Sequence, residues 1–176
     1  MVITLIGYRG SGKTAVAAPL AQRLGWSWVD ADVEIESRAG RSIREIFAAE
    51  GETGFRVLER QVIQDLLQRG NLVIAAGGGA ILNSDTRQEL RAAGPVVWLT
   101  ASVETLVNRI VSDQTTQQRR PSLTGQTPRE EVANVLAERL PLYQECATLT
   151  VDTDDQTVEQ VVERIQRSVE DMFLEN

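Results

Sequence analysis

The sequence predicts an α/β protein: a parallel sheet with helices on both faces. Three observations carry that expectation. Short apolar runs alternate along the chain with segments of helical period. The stretch Gly7-Tyr8-Arg9-Gly10-Ser11-Gly12-Lys13-Thr14 has the spacing Gly-x-x-x-x-Gly-Lys-Thr, a phosphate-binding loop that belongs between a strand and a helix. Two capping boxes, Ser42-Ile43-Arg44-Glu45 and Thr127-Pro128-Arg129-Glu130, mark the starts of further helices, the second with Pro at the first helical position.

Taken in order, Val2-Ile3-Thr4-Leu5-Ile6 is a short buried strand, and the glycine loop leads into a helix over 15–24, bounded by Gly25. Residues 26–30 form a second strand. The first capping box opens a helix that stops near Gly51, and another runs from about 54 to 68. Leu72-Val73-Ile74-Ala75 is a third strand entering Gly77-Gly78-Gly79, followed by a helix over about 84–93. A strand over 95–99 and a helix over about 102–111 come next. Residues 112–126 are polar and lack apolar periodicity, so they are expected to form a mobile loop. The second capping box launches a helix to about residue 140. After the strand Leu149-Thr150-Val151, a last helix carries Val158, Val161, Val162, Ile165 and Val169 on one face.

Length and composition narrow the function. With 176 residues, 42% hydrophobic and 24% charged, the chain fits one globular domain with a sizeable core. A net charge of −7 speaks against a nucleic-acid or anionic-membrane partner. The absence of histidine removes imidazole catalysis and His-built zinc sites. A single cysteine, Cys146, excludes an intrachain disulfide and reads as a core residue in a reducing cytoplasm. The strand at Val2 leaves no signal peptide ahead of the fold, and no apolar run could span a bilayer. A cytoplasmic monomer is the expectation.

Lys13 is the one lysine among 18 basic residues. In a phosphate loop the glycines let backbone N–H groups curl round an anion, and the helix start adds its positive dipole end. A lysine there reaches the β- and γ-phosphates as a compact point charge, which a planar guanidinium fork does not imitate. Thr14 supplies a hydroxyl to Mg²⁺. Nucleotide binding follows from this loop; the acceptor does not.

Three other places carry candidate chemistry. In Asp30-Ala31-Asp32, residues two apart in an extended chain point the same way, so both carboxylates can face one cleft. Alternatively, one caps a following helix and the other is solvated. Arg56 has Glu52 four residues before it and Glu59 three after, the spacing of a surface ion pair. Arg139 falls on or beside the stripe of Val132, Val135 and Leu136, where it either snorkels or meets an anion. The run Gly77-Gly78-Gly79 allows close backbone approach to a ligand, or is simply a turn.

Taken together these pieces resemble shikimate kinase nearly end to end. The phosphate loop, Asp30-x-Asp32 with Glu34-Ile35-Glu36, and Gly40-x-Ser42-Ile43-x-Glu45-Ile46-Phe47 are similar to that family. So are Gly51-Glu52-x-Gly54-Phe55-Arg56-x-x-Glu59, the triple glycine, Arg120-Pro121, and Arg139-x-Pro141-Leu142-Tyr143. The resemblance implies a three-layer sandwich with a five-stranded parallel sheet of order 2-3-1-4-5, and a mobile lid over about 112–126. It implies transfer of the ATP γ-phosphate to the 3-hydroxyl of shikimate, on the route to chorismate.

The resemblance also assigns roles. Gly10, Ser11, Gly12, Lys13, Thr14 and Ala15 would bind ATP, with Arg109 near adenine and Arg120 closing over the transferring phosphoryl group. Thr14 and Asp30 would serve Mg²⁺. Asp32 would be the base, in an acceptor region of about 32–61. Arg56 and Arg139 would hold the shikimate carboxylate, and Gly77, Gly78 and Gly79 would face the substrate. Departures are Ala76, where the family usually has threonine, and Ser122, where a second apolar residue usually follows Pro121. Arg119 beside Arg120 leaves open which arginine acts. A gluconate kinase would share the fold but would not need the two acceptor arginines. A non-catalytic paralogue would be expected to have lost an acceptor-site charge, and none is missing. A guanine-reading switch needs a second lysine that the chain lacks.

Overall fold

The computed structural model describes residues 1–112 and 127–174. The elements are β1 (Val2–Ile6), α1 (Lys13–Leu24), β2 (Ser27–Asp30), α2 (Ala31–Ala39), α3 (Ile43–Leu67), β3 (Leu72–Ala75) and α4 (Ser84–Ala93). They continue with β4 (Val96–Thr100), α5 (Val103–Ser112), α6 (Pro128–Cys146), β5 (Leu149–Asp152) and α7 (Val158–Leu174). The five strands pair in the order β2-β3-β1-β4-β5, every pairing parallel, as expected.

Strand alternation builds the three layers. Val2 and Ile6 of β1, Leu72 and Ile74 of β3, and Val96 and Trp98 of β4 point to one face, under α2, α3, α4 and α6. Ile3, Leu5, Val73, Ala75, Val97 and Leu99 point to the other, against Val16 and Leu20 of α1 and Ile165 and Val169 of α7. Burial on both faces is why these strands are continuous apolar runs. A third cluster joins Tyr8, Leu106, Ile110 and Val132, packing α5 and α6 beside the phosphate loop.

Both capping boxes form as expected: Ser42 and Thr127 accept from the N–H groups of Glu45 and Glu130, whose carboxylates reach back. The helical segments on either side of Gly51 form one element with a kink at that residue, where φ is 69°.

Two expectations need correction. The chain is not extended through Asp30-Ala31-Asp32. It turns helical at Ala31, because Asp30 is an N-cap whose carboxylate accepts from the N–H groups of Asp32 at 3.0 Å and Val33 at 3.4 Å. Nor does Pro141 end its helix, for α6 continues to Cys146. An internal proline costs about 3 kcal/mol in a helix. Here the turns after it are held by buried Tyr143, stacked on Trp98 with ring centroids 5.5 Å apart, and by buried Cys146. Tertiary packing outweighs the local penalty.

Candidate active site

The carboxyl ends of β2, β3 and β1 lie side by side, and each delivers one wall of a cleft of about 350 Å³. From β1 come the phosphate loop residues Arg9, Gly10, Gly12, Lys13, Thr14 and Ala15; from β2, Asp30 and Asp32; from β3, Ala75, Ala76, Gly77 and Gly78. Arg109 of α5 closes one side. Ligands of open parallel sheets bind at such strand ends.

The loop is shaped by its own contacts. Gly12 caps α1 at φ 96°, a left-handed conformation that glycine adopts without strain. The Lys13 ammonium donates to the carbonyls of Gly7 and Tyr8, both at 2.9 Å, so it is folded over the loop rather than extended into solvent. Ser11 is buried, its N–H donating to the Tyr8 carbonyl at 3.1 Å.

Asp30 serves two masters. One carboxylate oxygen caps α2, and the other accepts from the Thr14 hydroxyl at 2.7 Å. This ties the first turn of α1 to the end of β2 and sets two hard oxygen donors together. Asp32, the second residue of α2, faces the same cleft, so the two acids share it by capping geometry and not by strand alternation. Arg109 donates to the Gly10 carbonyl at 3.3 Å and to the Thr153 hydroxyl and carbonyl at 3.0 and 2.9 Å. Its guanidinium thus joins the loop to the chain after β5.

Both acceptor candidates reach the triple glycine. Arg139 donates to the Gly78 carbonyl at 3.1 Å, as does the Tyr143 hydroxyl at 2.8 Å. A Cβ on Gly79 would sit 2.6 Å from Arg56 Cζ, so the guanidinium lies directly against this glycine and would have to shift to admit a side chain. Arg56 also pairs with Glu59 at 2.6 Å and Glu52 at 3.0 Å, the ion pairs foreseen from their spacing. Burial works against its charge, but Glu59 and then Glu52 outweigh that and hold the guanidinium above its ordinary pKa. Glu59 is 3% exposed, so this pair is not a surface decoration. Ala76 is buried at the end of β3 and brings no hydroxyl to the cleft.

Arg9 and Glu131 were not legible as site residues. Arg9 occupies an unconstrained position of the loop motif, yet it lines the cleft and pairs with buried Glu131 of α6 at 3.3 Å. The only sequence signal was an arginine within the loop itself. Arg119 and Arg120, with the lid expected over about 112–126, lie outside the described residues from 113 onward.

A family model described as shikimate kinase matches residues 9–170. A shikimate kinase of Rhodopirellula baltica is 43% identical over 164 residues, covering 93% of this chain and 88% of that protein. Shikimate kinase from Acinetobacter baumannii, solved in complex with shikimate, has a similar structure. It gives a TM-score of 0.89 at 37% identity, covering 96% of this chain and 92% of that one. A gluconokinase of Sinorhizobium meliloti gives 0.57 at 17% identity over 99% and 97%, a likeness of fold alone.

Proposed function

Since the chain belongs to the shikimate kinase family, and so transfers a phosphate from ATP to shikimate, we propose a role for each residue of the cleft. The observation that carries this reading is that the phosphate loop, the acidic pair, Gly77 and Gly78 line one cleft, with Arg139 on Gly78 and Arg56 against Gly79 beside it. The β- and γ-phosphates lie along the loop, against the amides of Gly10, Ser11, Gly12, Thr14 and Ala15. Lys13 exchanges its loop carbonyls for phosphate oxygens. The Arg109 side chain packs by adenine.

Shikimate's carboxylate takes Arg56 and Arg139, planar forks that suit bidentate pairing. Glu59 fixes the orientation of Arg56. Gly77, Gly78 and Gly79 let the ring approach the backbone. The 3-hydroxyl oxygen bonds to the γ-phosphorus as the bond to the β-phosphate oxygen breaks, leaving ADP. The hydroxyl proton passes to the Asp32 carboxylate, and a weak base suffices because this transfer depends mostly on positioning and charge. Arg120 would close over the transferring group.

Thr14 and Asp30 fit Mg²⁺, a hard cation that keeps several waters and takes one or two protein oxygens plus substrate phosphates. When bound, it neutralises phosphate charge and aligns the leaving oxygen. The gluconate alternative is not favoured, because the likeness to the gluconokinase, at 17% identity, is one of fold alone, whereas the family model and the relative 43% identical are shikimate kinases. An ADP-release assay with shikimate and, separately, gluconate tests the reading. Turnover with shikimate alone is expected; turnover with gluconate alone would overturn it.

A further inference from the structure

We infer that Arg9 is an additional phosphoryl-contacting residue, held at the junction of the nucleotide and acceptor halves of the cleft by Glu131. The position carries the idea. The Gly7 carbonyl and the backbone nitrogen of Arg9 lie 3.4 and 3.7 Å from where a Cβ on Gly78 would be, so the phosphate loop touches the triple glycine over residues 7–9. Its side chain lines the cleft that contains Lys13, Thr14 and Asp32. The transferred group must cross between those two halves.

The electrostatics agree. Glu131 sits on α6 two turns before Arg139 and is 8% exposed, whereas the Arg9 side chain is 25% exposed. A buried carboxylate thus pairs with an arginine that is itself partly exposed and lines the cleft. Lys13 and Arg109 are both anchored on loop carbonyls, on the nucleotide side. The backbone that carries the Arg9 side chain is in contact range of Gly78, and a guanidinium carried there can face the charge that develops on the phosphoryl oxygens. The inference rests on the phosphate loop being the site of the transferred phosphate.

Kinetics of Arg9→Met, Glu131→Met and the double variant separate contact from bracing. Arg9→Met should lower kcat about 10²-fold, with the KM for shikimate changing less than about threefold, as for loss of a transition-state contact. Removing both charges of a partly buried pair is close to neutral for folding. A phosphoryl contact therefore leaves the double variant as slow as Arg9→Met, while a mere brace between loop and helix restores wild-type kcat. Binding adds a second readout. Arg9→Met should weaken a non-hydrolysable ATP analogue about tenfold and leave ADP unchanged, because the lost charge faces the γ-position. Wild-type kcat in Arg9→Met or in the double variant, or equal weakening of both nucleotides, overturns the inference. If Arg9→Met does not fold, the double variant carries the same comparison. Lys13→Ala is the control: if that variant keeps turnover, the reading of the loop has failed rather than the part given to Arg9.

Discussion

Lys13 has an ammonium fitted to two carbonyls 2.9 Å away within its own loop. A branched, planar guanidinium cannot reproduce that geometry. Lys13→Ala should abolish nearly all turnover in a folded protein, and Lys13→Arg should fail almost as badly. Near wild-type kcat in Lys13→Arg would remove the geometric argument. Arg56 and Arg139 make a different prediction. Losing one arm of a buried charge pairing costs roughly 2–5 kcal/mol, so either Ala variant should bind shikimate at least tenfold more weakly. Titration with a non-hydrolysable ATP analogue should show little change. The reverse pattern would mean that these arginines do not hold the acceptor. Cys146 gives a third test. Burial pushes its thiol from 9.0 up to about 11, with Arg87 and Arg91 opposing. Because the folded value is the higher one, its contribution to stability is complete below pH 9.0 and is lost as pH rises through about 11. The native thiol should therefore resist alkylation at neutral pH, and Cys146→Ser should flatten the alkaline decline in stability. Rapid labelling of the folded protein would contradict this.

Among the elements, those legible in the sequence were the ones whose local signals agreed with their packing. The glycine loop, both capping boxes and the stripe of Val161, Val162, Ile165 and Val169 on α7 stand where their residues indicate, while Val158 at the start of that helix is exposed. Ser42→Ala should cost about 1 kcal/mol in urea unfolding, because the first turn of α3 loses its side-chain acceptor. An unchanged midpoint would show that packing alone fixes that helix start. The misread elements were decided by longer-range contacts. No local rule carries α6 through Pro141; the Trp98 stack and the Tyr143 hydroxyl on Gly78 do, and both partners are distant in the chain. At α2 the sequence offered both strand alternation and an aspartate N-cap, and Asp30 takes the cap. The carboxylates still share one cleft, for a different reason. Arg9 was hidden because its partner Glu131 lies 122 residues away.

At the scale of the molecule, the sheet order brings three strand ends together, and neighbouring strands stand about 4.8 Å apart. That spacing sets the separation of acids, glycines and phosphate loop. The same order governs how the protein is assembled. Leu5 is paired with Ala75 on one side and Val97 on the other, so each partner of the first strand is encoded far downstream. No hairpin can form early and wait, and the entropy of closing long loops must be overcome before any pairing is rewarded. The first thing the chain encodes is therefore among the last to be secured. A stretch ending before Val96 contains the whole phosphate-loop motif yet lacks β4, one of the two strands that flank β1. Nucleotide affinity should accordingly appear abruptly in refolding, together with closure of the sheet, and the loop by itself is a sequence without a shape.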